Sequence, residues 1–252
     1  MRIKNVNRWG ASGIHLLISV AIAAVALALM LLVWYPPPLF EAAGGNDLLF
    51  LLVAVDVVVG PLITLIIFKP GKWGLRFDLA AIGIVQLAAL LYGVSIVYLA
   101  RPAFIVFVKD RFEVATAVEL EPEKLSKARF EQFSHPPLGG PQLAFAEFPE
   151  DPEKRNELVE LALAGIDLQH FPEYWRPYEG QAKQVLAEGD TLERMRRTEP
   201  RAAPVVDEWL RDSGVKEDDV RFFNLRAPRG WVAVLVDAKT AEPMKMLLYE
   251  KL

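Results

Sequence analysis

Three apolar runs occupy most of the first hundred residues and constrain everything else the chain can do: residues 14–34, 48–68 and 79–99. Each holds about 21 residues, or ~31 Å of helix at ~1.5 Å per residue, which matches a hydrocarbon core of ~30 Å. The chain is 53% apolar yet 24% charged, and the two populations are segregated, with most of the charge after Arg101. The sequence therefore predicts a three-span membrane α-helical domain over residues 1–100 and a soluble domain over 101–252. The first run follows a basic start, as signal peptides do. It is too long for an ordinary signal, and it ends in "WYPPPLF" rather than in small residues, so it reads as a retained span.

Orientation follows from the connections. Arg2, Lys4 and Arg8 precede the first run, and Lys69, Lys72 and Arg76 lie between the second and third. The connection "YPPPLFEAAGGND" has no Lys or Arg. Basic loops stay in the cytoplasm, so the N-terminus is expected inside and the C-terminal domain outside. The overall look of the chain suggests a multi-pass protein of a bacterial inner membrane, with a periplasmic domain. The absence of cysteine fits an oxidising space and excludes disulfides and thiolate chemistry.

The soluble part predicts an α+β fold with an antiparallel sheet. "AFIVFV" (103–108) and "RFEVATAV" (111–118) read as strands around a short turn, and "QLAFAEF" (142–148) alternates like a third. "PEKLSKARFEQF" reads as a helix, as does the stretch after Asp151 and Pro152, and further helices are expected near 177–188, 191–198 and 204–212. "VRFFNL", "WVAVLVD" and "EPMKMLLYE" close the chain as strands, the last two forming a hairpin through "AKTA".

The residue that asks most for a reason is Asp56, in the middle of the second apolar run. A carboxylate at the centre of a membrane helix costs roughly 2.5–3.5 kcal/mol even on lenient scales, so such a residue is usually paired and often functional. Asp56, Gly60 and Thr64 share one helix face, Pro61 should kink the helix, and Gln86 in the third run is the internal donor at a suitable depth. These polar groups either lock the spans together or meet a partner. His15 reads as an interfacial anchor. In the soluble part, "LQHFPEYWRPYEG" (168–180) is the unusual stretch: Tyr174, Trp175, Arg176 and Tyr178 form either a partner surface or a rigid loop packed on the core. Arg194, Arg196 and Arg197 read as a solvated helix face.

Enzymatic chemistry finds no support. There is no G-x-S-x-G elbow, H-E-x-x-H motif or Gly-rich phosphate loop, and Asp78 lies too far in depth from Asp56 to form an aspartyl pair. His135 and His170 lack partners at ligand spacing. No catalytic residue, metal or cofactor is expected, and the net charge of −4 gives no footprint for nucleic acid.

"GIHLLIS" (13–19), "VDVVVGPLITLIIFKPGK" (55–72), "DLAAIGIVQLAALLYG" (78–93) and "ARPAFIVFVKDRFEV" (100–114) together resemble the TfpX/TfpZ family of type IV pilin accessory proteins. "PLGGP" (137–141) and "FPEYWRPY" (171–178) are similar to family sequence as well. The resemblance implies a non-enzymatic inner-membrane chaperone that binds and stabilises a cognate type IV pilin and modulates its assembly. Two other readings compete: a membrane-bound ligand sensor, which would lack a cytoplasmic output domain, and a small transporter subunit using Asp56.

Overall fold

Asn7 opens the first helix: its side chain accepts from the Gly10 amide at 2.8 Å, satisfying one of the free N–H groups of the first turn. The computed structural model describes residues 7–251, so Arg2 and Lys4 of the basic start lie outside the described residues. Helix α1 (Arg8–Leu29) runs on through a π-helical turn, Met30–Trp34. A four-residue helix, α2 (Leu39–Ala42), follows, and then the second apolar run.

That run corrects the expectation of three spans. It is not one helix but α3 (Gly45–Val53), a π-helical stretch Ala54–Val59, and α4 (Gly60–Ile67). Pro61 is the physical reason. It has no N–H to give the Val57 carbonyl, and its ring clashes with that carbonyl, so the helix widens ahead of it. Two helices among the described residues are long and apolar enough to cross a membrane: Arg8–Trp34, of 27 residues, and α5 (Leu75–Leu99), of 25.

The chain divides into two compact units, and the division is not collinear with the sequence. One comprises the segments up to Val33 and from Gly45 to Leu99; the other comprises Trp34–Gly44 together with everything from Ala100. In the helical unit α1 packs against α4, with the Ser12 hydroxyl donating to the Pro61 carbonyl at 2.9 Å.

The second unit is built on a seven-stranded sheet. Its strands are β1 (Pro102–Val108), β2 (Arg111–Thr116), β3 (Gln142–Ala146), β4 (Trp175–Pro177), β5 (Val220–Ala227), β6 (Gly230–Asp237) and β7 (Pro243–Lys251), in the order β4-β3-β1-β2-β5-β6-β7. The expected antiparallel sheet is corrected here. β1 pairs parallel with β3 (Phe104 opposite Gln142), and β2 pairs parallel with β5 (Phe112 opposite Leu225). The remaining pairings are antiparallel. β1 shows why: all seven residues are buried, so it is a central strand with both faces covered rather than an alternating edge.

Ile105 and Phe107 of β1 face a core with Phe112, Phe223 and Val234, covered by α2 and α8 (Ala182–Glu188). Phe104 and Val106 face the opposite core with Phe133 and Trp175. A third cluster packs β5 and β6 against α9 (Leu192–Thr198) and α10 (Ala203–Ser213). Between β1 and β3 the expected single helix 122–133 is two short pieces, α6 (Pro122–Leu125) and a 3-10 turn at Glu131–Phe133. Helix α7 (Pro152–Leu163) starts as expected, with Pro152 in its first turn and the Asp151 carboxylate accepting from the Glu153 amide at 2.9 Å.

Residues 34–44 belong to this unit through real packing. Leu39 is 2% exposed within the core under the sheet, and the Ala42 carbonyl accepts from the Arg229 amide at 2.8 Å in the β5–β6 turn. Leu39→Ala should therefore cost about 2–5 kcal/mol in urea unfolding of the detergent-solubilised chain. Glu41→Ala, which breaks a surface pair with Lys251, should cost under ~1 kcal/mol. Equal, negligible effects would mean that the segment is not part of the sheet's core.

Candidate functional site

The helical unit gathers its polar side chains around α4. Asp56, Gly60 and Thr64, which the sequence reading puts on one helix face, are all buried. At Gly60 a Cβ would lie 1.9 Å from the Gln86 Nε2, so the Gln86 side chain rests against bare backbone. Thr64 Oγ1 is 2.6 Å from His15 Nδ1, which makes His15 a structural partner of this face rather than a lone anchor.

Asp56 sits in the π-helical stretch and lines a cavity of about 190 Å³ with His15, Ser19, Gln86 and apolar residues including Ile18 and Leu87. The carboxylate is 7% exposed, and its Oδ1 has no hydrogen-bond partner. No hydrogen bond joins Asp56 to Gln86 among the described residues; the amide is held over Gly60 instead. Gln169 Oε1 in the other unit is likewise buried without a donor among the described residues. An unmade bond to a buried carboxylate is expensive, of order 1–3 kcal/mol or more.

Sequence reasoning found Asp56, Gly60, Thr64 and Gln86 but missed His15 and Ser19 as their neighbours. A signal was present: His15 is near the start of its helix and Thr64 near the end of another running the opposite way. The two therefore fall at one depth.

The aromatic stretch divides between core and surface. Trp175 is fully buried, stacking edge-on against Phe104 and Phe133 at 4.9 and 5.6 Å between ring centres, and its indole N–H donates to the Leu168 carbonyl at 2.9 Å. Tyr178 is also buried; its hydroxyl donates to the Ala241 carbonyl at 2.7 Å, and burial pushes the phenol well above its usual range. Tyr174 and Arg176 stay half-exposed, and Arg176 pairs with Glu147 at 2.6 Å. Of the four residues, these two alone present surface. Arg196 is likewise engaged, bridging Asp207 at 2.7 Å and Glu217 at 2.6 Å. No group of three or more His, Asp or Glu side chains able to hold a metal occurs among the described residues.

The two units define a class: a mixed-sheet globular unit and a unit of apolar helices in one chain, the latter with a buried carboxylate oxygen that lacks a partner among the described residues. Comparison with known proteins gives that class a family. The family model described as fimbrial assembly protein FimB matches residues 4–44. The fimbrial assembly protein of serogroup I from Dichelobacter nodosus is 33% identical over 212 residues, 83% of this chain and 77% of the relative. The serogroup E1 protein of the same organism is 34% identical over 178 residues, 69% of this chain and 68% of its own length. A third, from serogroups C1 and C2, is 37% identical over 119 residues, 46% of this chain and 91% of its own length. No solved structure matches. The chain belongs to the fimbrial assembly protein family.

The burial pattern yields a direct test. Trp175→Ala should lower the stability of the chain by about 3–5 kcal/mol in urea unfolding, while Arg176→Ala should cost under ~1 kcal/mol. A mild Trp175→Ala would return this residue to the surface.

Proposed function

We propose that this member of the fimbrial assembly family is a membrane-anchored, non-enzymatic accessory protein that binds a cognate type IV pilin, stabilises it and modulates its assembly. This is the narrower, TfpX/TfpZ-like reading of a role in fimbrial biogenesis. The observation that carries it is the match to relatives named as fimbrial assembly proteins over 83% of the chain, a length that takes in both units.

The anchor in this reading is α1 with its π-helical extension, together with α5, in a bacterial inner membrane. Orientation has an argument of its own. Both long helices end in the same globular unit, one through Trp34–Gly44 and the other through Ala100. Their N-terminal ends carry the basic residues, Arg2, Lys4 and Arg8 for one and Lys69, Lys72 and Arg76 for the other. Basic flanks stay in the cytoplasm, which favours a periplasmic globular unit.

Asp56 supplies the contact within the membrane. Its free Oδ1, in a cavity between helices, accepts a donor from the apolar helix of the pilin, so that pilin binding completes a hydrogen bond the chain leaves unmade alone. Asp56→Asn keeps an acceptor oxygen and should leave pilin capture near wild type. Asp56→Leu should accumulate normally but capture roughly tenfold less pilin in crosslinked native membranes, the equivalent of ~1.4 kcal/mol. Unchanged capture by Asp56→Leu would remove this residue from the contact. Absence of pilin among the crosslinked products of the unaltered chain would remove the pilin itself.

A further inference from the structure

β7 closes one side of the sheet. It pairs with β6, and among the described residues no strand lies on its other side. In an antiparallel strand alternate residues turn their N–H and C=O groups away from the partner, so an edge leaves a row of unpaired donors and acceptors. The opposite edge, β4, is three residues long, which leaves little to pair with; β7 is nine.

The first half of β7, Pro243–Met246, also forms one wall of a cleft of about 520 Å³. The facing walls are Pro36, Pro37, Leu39, Ile105 and Leu143. Pro36 and Pro37 bring no N–H, so that part of the wall offers no main-chain donor to compete with an incoming strand. Met244 is 40% exposed over the cleft, and an unbranched thioether adapts to varied apolar side chains. Farther along the strand, Glu250 is paired with Arg201 and Lys251 with Glu41. Lys245 is different: it is exposed, makes no ion pair among the described residues, and, paired opposite Leu235, turns to the face away from Met246, so its charge stands beside the cleft rather than in it.

The geometry points to β7 as a strand-docking site for an extended segment of the pilin, with apolar side chains at alternate positions and a carboxylate beside Lys245. Each feature specifies one property of the occupant. The bare edge asks for main-chain pairing, and the cleft asks for apolar residues two apart, because alternate side chains of a strand share a face. Lys245 asks for an acid. A second copy of this chain fits less well, since β7 pairing with itself would offer Lys245 only Glu250 as an acid, and Arg201 already holds that carboxylate. The identity of the partner rests on the pilin-binding reading above; the place of docking does not.

The test puts a photo-crosslinking residue at Met244 of the full chain in native membranes containing the cognate pilin. Lys239, exposed in the turn before β7, is the control position. A pilin adduct from position 244 and not from 239 is the expected result. Lys245→Glu should cut that adduct about tenfold by placing like charges together, and Lys245→Arg should preserve it. Pilin captured elsewhere on the chain but never from 244 would overturn the docking site and leave the pilin-binding reading intact. A 244 adduct containing only a second copy of this chain would overturn it in favour of self-pairing. No pilin adduct from any position would end both.

Discussion

A four-residue helix holds this molecule's topology together. α2 lies between two apolar segments, and its Leu39 and Ala42 are buried in the same core as Ile105, Phe112 and Val234. The hydrogen bond from the Arg229 amide to the Ala42 carbonyl fixes it to the β5–β6 turn. A segment that would otherwise be a short connection thereby becomes part of the sheet's hydrophobic core. In sequence both long helices lead into that sheet unit, and the interrupted stretch from Gly45 to Phe68 lies between them. The break at Pro61, the buried Asp56 and the bare Gly60 all fall in that stretch. Its departures from regular helix and the unsatisfied carboxylate are thus in one place, as is common where a helix carries a functional group.

Much of this was legible in the sequence, and the failures have physical causes. Local signals read correctly: the β1–β2 turn, the Asp151-Pro152 helix start and the hairpin through "AKTA" each depend on residues close together in the chain. Helical spacing singled out Asp56, Gly60 and Thr64, and all three are buried. Pro61 was legible as a kink, but hydropathy still counts the second apolar run as one span, because a window average does not register one missing N–H. Hydropathy also could not reveal that "YPPPLFEAA" folds with residues 100–251, since that contact joins segments far apart in sequence.

The parallel pairings of β1 with β3 and β2 with β5 were invisible for the same reason. "AFIVFV" did carry a hint, being continuously rather than alternately apolar, which is the mark of a strand covered on both faces. The aromatic stretch misled through composition. Tyr, Trp and Arg are enriched at interfaces, but Trp175 and Tyr178 each have a buried carbonyl to bond, at Leu168 and Ala241, and so serve the core. β7 lies at the edge of the sheet, and its sequence carries marks of one: Pro243 at its start and Lys245 and Lys251 along it.

The shared side of the two helix ends is the claim on which the proposed function most depends, and the chain is well suited to testing it because it has no cysteine. Single cysteines at Glu41, Lys154 and Lys72 in intact spheroplasts would be treated with a membrane-impermeant maleimide. Labelling of Glu41→Cys and Lys154→Cys from outside, with Lys72→Cys reacting only after permeabilisation, is the result predicted. Opposite accessibility of positions 41 and 154, or external labelling at position 72, would contradict it.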